Sequence, residues 1–216
     1  MNRQLSLTEV LASLRDKASP KWRSLYDALV QHLVEEGAAD DALKVGDKIP
    51  EFMLANAEGR FVRSEDLLAK GPAVLSFYRG RWCPYCSAEL DALNAVATRI
   101  RDSGATLAAI TAEAGGEAIR TKFERKFDFE ILCDLDNGLA LECGLVFKLT
   151  PELQKAYIET NLDFPKLYGN TSWFLPIPAT YVVDAGGIIR EAYVNPDFRY
   201  RLDPSAIMAA IEKAKA

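Results

Sequence analysis

The stretch that constrains this chain most is the apolar run Ala73-Val74-Leu75-Ser76-Phe77-Tyr78, followed at once by Arg79-Gly80-Arg81-Trp82-Cys83-Pro84-Tyr85-Cys86. The run is bounded by Gly71-Pro72 and a basic turn, and it predicts a central strand covered on both faces. Beyond the cysteines, Leu90, Leu93, Ala97 and Ile100 keep helical spacing until Ser103-Gly104 stops the helix. A strand that delivers two thiols to the first turn of a helix suits thiol redox chemistry. Free N–H groups and the positive end of the helix dipole stabilise a thiolate there, and the thiolate is the nucleophile.

The rest of the chain fits around this unit as an α/β domain. Ser6-Leu7-Thr8-Glu9 has the form of a capping box, and Ser19-Pro20 restarts a helix with a cap and a proline at the first position. Residues 1–42 therefore read as an N-terminal helical extension, a hairpin whose apolar face must be covered. His32, the sole histidine, lies in it and reads as structural or solvated. Residues 43–216 read as one domain. It holds a β-hairpin near Phe52 and Phe61, then strands at Ala73–Tyr78, Thr106–Thr111 and Glu130–Cys133 alternating with helices. Gly115-Gly116 is a break, and Ile119, Phe123 and Phe127 space a helix. Residues 161–178 read as loop. A closing hairpin turns at Asp184-Ala185-Gly186-Gly187, and Pro204 opens a terminal helix. The order implies a mixed sheet flanked by helices.

Composition excludes several classes. The net charge of -5 leaves no basic footprint for nucleic acid, and no apolar run approaches the roughly 20 residues of a membrane span. Glu9, Arg15 and Asp16 interrupt what would be the apolar core of a signal peptide, so the cytoplasm is the expected compartment. Four cysteines are too few for a disulfide scaffold, and in a reducing compartment Cys-x-x-Cys reads as redox or metal. Zinc wants four ligands, and Cys133 and Cys143 sit on separate predicted elements, so both read as ordinary buried residues.

Cys83 and Cys86 share a helix face and can close a disulfide across one turn. Arg79 and Arg81 add positive charge that lowers a thiol pKa. Trp82 and Tyr85 supply an apolar rim of the kind that docks a protein or apolar substrate. Pro178, just before the strand Thr180-Tyr181-Val182-Val183, suggests a cis bond abutting the disulfide.

These residues resemble a known frame. Cys83-Pro84-Tyr85-Cys86 after Phe77-Tyr78, with Pro178 before a late strand, is similar to the thioredoxin fold, and Cys-Pro-Tyr-Cys is also the glutaredoxin tetrapeptide. Val45-Gly46-Asp47-Lys48-Ile49-Pro50-Glu51-Phe52, Ser76-Phe77-Tyr78, Leu132-Cys133-Asp134 and Tyr181-Val182-Val183-Asp184 resemble the peroxiredoxins of the alkyl hydroperoxide reductase/thiol-specific antioxidant family, in the subgroup that carries Cys-x-x-Cys. The resemblance implies a thioredoxin-like, peroxiredoxin-type mixed sheet and an antioxidant peroxidase with a redox-active disulfide. It also implies a hydroperoxide or disulfide substrate, a thioredoxin-type reductant and a homodimer as the usual assembly, with no metal or organic cofactor. By spacing, Cys86 falls at the family's peroxidatic position, Cys83 where a threonine stands, and Arg79 where a proline stands. The family's arginine before the late strand is replaced near Pro178.

Thioredoxin logic makes Cys83 the more exposed attacking thiol with Cys86 resolving. The peroxiredoxin spacing reverses the roles, and the sequence reading leans to Cys86 as the attacker. Both give one cycle: thiolate attack, an oxidised intermediate, an intramolecular disulfide and reduction by an external dithiol. The leading reading is a thiol peroxidase. Its alternatives are a thioredoxin- or glutaredoxin-like protein disulfide oxidoreductase and a redox-sensing binding module, the latter suggested by the N-terminal helices.

Overall fold

The fold is described by a computed structural model over residues 5–114 and 116–215. Of the Gly115-Gly116 break only Gly116 lies within this range, and residues 1–4 and 216, at the ends of the two expected regions, lie outside the described residues. Two capped helices open the chain. In α1 (Leu7–Lys17) the Ser6 side chain accepts from the Glu9 N–H while Glu9 reaches back to Ser6. In α2 (Pro20–Glu35) Ser19 is the cap and Pro20 fills the first position. Their apolar faces are covered from within the chain. Leu7, Leu11, Leu29 and Leu33 are buried in the same hydrophobic cluster as the sheet, and α1 packs along the helix Pro84–Asp102.

The frame of the domain is a seven-stranded sheet in the order β2-β1-β5-β4-β3-β8-β9. The hairpin β1 (Met53–Asn56) and β2 (Phe61–Arg63) forms one edge, and α3 (Ser64–Leu68) follows it. At the centre, β3 (Ala73–Phe77) is buried at every residue, as an apolar run between two neighbours and two helical layers must be. It pairs parallel with β4 (Thr106–Thr111), which pairs parallel with β5 (Glu130–Cys133). Two helices supply the crossovers, α4 (Pro84–Asp102) and α5 (Glu117–Arg125). On its other side β3 pairs antiparallel with β8 (Ala179–Val183), which turns into β9 (Ile189–Val194). Among the packed elements, α9 (Pro204–Ala214) lies against β8, β9 and α4.

Three sequence expectations change. The region 161–178 is not all loop: α7 (Pro151–Glu159) is followed by α8 (Phe164–Tyr168) and by β7 (Phe174–Pro176). That strand pairs with β6 (Val146–Lys148), which follows α6 (Gly138–Glu142). The prolines hid a short two-stranded ladder of edge strands, where a missing N–H is tolerated. Second, no cis peptide occurs among the described residues, so the Ile177–Pro178 bond is trans. The Ile177 N–H bonds the Leu145 carbonyl and Ala179 pairs with Phe77, so extended chain passes from one ladder to the next. Third, Phe123 is exposed on α5 although Phe127 is buried, so the stripe of four-spaced apolar residues does not all face the core.

Candidate active site

The register between β3 and β8 sets the location. Phe77 pairs with Ala179, so the chain leaves the sheet at Tyr78 beside Pro178 and must turn before α4 begins. Gly80 makes that turn: a Cβ there would lie 2.6 Å from the Trp82 Nε1 and 2.7 Å from the Glu113 Oε1. The turn swings Cys83 into the N-cap position of α4 rather than into its first turn. Its sulfur accepts the Cys86 N–H at 3.4 Å, doing what a serine or aspartate does at a cap.

Arg79 reaches the same sulfur. It is 1% exposed, and its Nη2 donates to the Cys83 Sγ at 3.0 Å. The guanidinium lies 3.6 Å from the Phe198 ring centroid and 5.1 Å from that of Trp82, while its Nε and Nη1 have no hydrogen-bond partner among the described residues. A second guanidinium attends the second sulfur. Arg201 donates from Nη2 to the Cys86 Sγ at 3.5 Å and from Nε to the Glu89 carboxylate at 2.6 Å. Its Nη1 is held by the Phe198 and Tyr200 carbonyls.

The two thiols are electrostatically unequal. Burial pushes Cys83 up, but the hydrogen bond to Cys86 and the charges of Arg79 and Arg201 overcome it and hold Cys83 well below the usual thiol range. For Cys86, burial, that same hydrogen bond and the Cys83 charge all push up, above the usual thiol range. The surroundings thus favour Cys83 over Cys86 as the charged member of the pair. Two buried carboxyls stand nearby. Burial raises Glu89 to about 7 despite Arg201, and raises Glu113 to about 8 despite the Arg81 N–H that it accepts at 2.9 Å.

The residues singled out from the sequence fare differently. Cys83, Cys86 and Arg79 come together. Arg81 does not join them: its guanidinium pairs with Glu117 and Glu124 on α5. Trp82 and Tyr85 form no exposed rim. The Trp82 Nε1 donates to the Tyr168 hydroxyl at 2.8 Å, its ring packs on Tyr157 and Phe164, and Tyr85 is buried. Cys83 is not the exposed thiol that thioredoxin logic expects, because both sulfur-bearing residues are 0% exposed. Pro178 is buried at the head of β8, and Cys133 and Cys143 lie on β5 and just after α6. The sequence reading missed Arg201, Glu89, Phe198, Tyr26 and Glu113. Glu89 alone carried a signal, since it lies three residues after Cys86 on one helix face.

A mixed sheet that carries a helix-capping cysteine, a second cysteine one turn on and two attendant guanidiniums defines a thioredoxin-like thiol oxidoreductase. Comparison with known proteins agrees. The family model described as AhpC/TSA matches residues 45–192, and the chain belongs to that family. The thiol-disulfide oxidoreductase ResA of Bacillus cereus is 26% identical over 166 residues, which is 77% of this chain and 79% of that protein. Peroxidoxin BcpB of Mycobacterium tuberculosis superimposes with a TM-score of 0.62 at 20% identity, over 81% of this chain and 99% of that one. The peroxiredoxin 6 of Arenicola marina gives a TM-score of 0.62 at 17% identity, over 79% and 73%. The solved structures share the fold.

Proposed function

We propose that the protein is a thiol peroxidase in which Cys83 attacks and Cys86 resolves. The observation that carries this reading is the placement of one sulfur at the helix cap against the Arg79 guanidinium, with no surface exposed. Electrostatics supports Cys83 as the thiolate, against the assignment of Cys86 that spacing alone favoured. Burial supports a small substrate: two oxygen atoms need only a water-sized path, whereas exchange with a protein disulfide needs the attacking sulfur at the surface.

In the cycle, the Cys83 thiolate attacks the nearer peroxide oxygen, the O–O bond breaks, and the departing alkoxide or hydroxide takes a proton. The Cys83 sulfenic acid then accepts attack by the Cys86 sulfur, releasing water. The sum is one dithiol monoanion, one hydroperoxide and one proton giving a disulfide, an alcohol and water. An external dithiol of the thioredoxin class restores the pair, and the cytoplasm, where such donors are kept reduced, is the compartment we assign. Arg79 stands where the incoming peroxide meets Cys83, and its spare N–H donors suit the oxygen that leaves.

The test compares wild type with Cys83→Ser and Cys86→Ser in peroxide consumption driven by thioredoxin, with insulin reduction in parallel. Wild type turns over peroxide. Cys86→Ser performs one stoichiometric turnover to a sulfenic acid, detected by dimedone, and Cys83→Ser performs none. Peroxide consumption at the free-thiol background together with rapid insulin reduction would replace this reading by a disulfide oxidoreductase.

A further inference from the structure

Two residues of the N-terminal hairpin and one of α7 complete an aromatic cage around Arg79. The Arg79 guanidinium lies on the rings of Trp82 and Phe198. Trp82 packs on Tyr157 at 5.2 Å, Tyr157 on Trp22 at 5.3 Å and Trp22 on Tyr26 at 5.5 Å, and Tyr26 meets Phe198 edge-on at 5.1 Å. The contacts therefore return to Arg79 and close a ring. Trp22, Tyr26 and Phe198 lie outside the family match at residues 45–192. The walls are firmly held: Leu29 and Leu33 anchor α2 in the core, and Lys21 pairs with Glu159 of α7 at 2.8 Å.

Three donors converge inside the cage. Arg79 Nε, Arg79 Nη1 and the Tyr157 hydroxyl are buried and have no hydrogen-bond partner among the described residues, while Arg79 Nη2 donates to the Cys83 sulfur. A buried donor without a partner is costly, and a catalytic role is one reason to keep it. Donors gathered beside a nucleophilic sulfur suit an oxygen substrate. Tyr157 is sealed, but Tyr26 is only half-buried and stands in the wall of a depression of about 190 Å³ between Arg15, Arg23 and Arg199. The two tyrosine hydroxyls are neighbours, each shifting the titration of the other, and both lie in the field of Arg79 and Cys83.

We propose that Tyr26 and Tyr157 form a proton path from this depression to the peroxide, with Tyr157 the donor to the oxygen that leaves. This deepens the peroxidase reading and rests on it.

In the step, the Cys83 sulfur bonds the nearer oxygen, and the O–O bond breaks with its electron pair on the far oxygen. That oxygen takes the Tyr157 hydroxyl proton, Tyr157 takes the Tyr26 proton, and Tyr26 takes one from water in the depression. The products are the Cys83 sulfenic acid, an alcohol or water, and hydroxide in solvent, with both tyrosines restored. Arg79 steadies the negative charge as it moves from sulfur to oxygen. Burial raises both phenols, Tyr157 well above its ordinary range and Tyr26 less far, so the outer one is the stronger acid, the order a path leading inward needs. The buried carboxyls are placed elsewhere. Glu89 is paired with Arg201 beside Cys86, and Glu113 lies against the Gly80–Arg81 turn.

The first oxidation of the reduced full chain by hydrogen peroxide and by peracetic acid, timed in a stopped-flow mixer, tests this. Hydroxide needs a proton as it leaves, whereas acetate does not. Tyr157→Phe keeps the ring and removes the hydroxyl. It should slow hydrogen peroxide about 100-fold and peracetic acid by less than about threefold. Tyr26→Phe should show the same selectivity in smaller measure, about tenfold for hydrogen peroxide. Equal slowing of both oxidants in Tyr157→Phe, no slowing of either, or an unaffected Tyr26→Phe would overturn the path and leave the peroxidase reading standing. A wild type no faster than free cysteine toward both oxidants would remove the peroxidase reading and the path with it.

Discussion

At the scale of single residues, the site works by giving two chemically identical thiols different surroundings. Cys83 has a helix terminus and a guanidinium, whereas Cys86 has a buried position beside an anion. Arg79→Gln removes the charge and keeps much of the shape. The Cys83 titration should then move up, and the rate of alkylation by iodoacetamide at pH 6 should fall by about one to two orders of magnitude, read peptide by peptide by mass spectrometry. Glu113 gives a prediction in stability. Its folded pKa of about 8 lies above the ordinary carboxyl value, so between pH 5 and 8 the unfolded chain binds fewer protons than the native one at this group. Stability from this carboxyl is present at low pH and lost as pH rises. Glu113→Gln keeps an acceptor for the Arg81 N–H and loses the titration. The variant should therefore gain on wild type progressively from pH 5 to pH 8, by a few kcal/mol at the upper end, as read from urea midpoints.

At the scale of elements, three segments distant in sequence converge on one strand end. The β3–α4 turn brings the sulfurs, the loop after β9 brings Phe198 and Arg201, and α2 brings Tyr26. The segment that leads from α2 into the domain is seated against Gly144. That residue has φ +69°, and a Cβ there would run into the Asp41 carbonyl. Leu43 N–H also bonds the neighbouring Cys143 carbonyl at 3.2 Å. Gly144→Ala meets both a left-handed backbone and a blocked contact, so it should cost about 1–3 kcal/mol, seen as a lowered urea midpoint with an unchanged slope. An unshifted midpoint would show that this junction carries no part of the fold's stability. Elements with strong local signals formed as the sequence indicated: both N-terminal caps, the buried run of β3 and the β8–β9 turn. The β6–β7 ladder was illegible because its residues have no partner nearby in sequence and one of them is proline.

At the scale of the whole molecule, redox state and stability are linked. A disulfide between Cys83 and Cys86 closes a loop of four residues, and loop-closure entropy of that size contributes about 2 kcal/mol. Loss of the thiolate strands a buried cation, a larger effect of about 3–5 kcal/mol. The dithiol form should therefore melt a few degrees above the disulfide form at pH 7, contrary to the usual effect of a cross-link, and calorimetry on the two forms decides the sign. A higher melting temperature for the oxidised protein would mean that Arg79 finds another anion. The sequence by itself determined the strand–thiol–helix unit, the mixed sheet, the N-terminal hairpin and the class of chemistry, because each depends on residues adjacent in the chain or at helical and strand spacing. The tertiary structure alone decided which guanidinium meets which sulfur, that both cysteines are buried, and that Arg201 rather than Arg81 attends the pair. Those outcomes depend on burial and on charges brought together from residues 26, 79, 89, 113, 198 and 201, whose separation along the chain leaves no periodic trace.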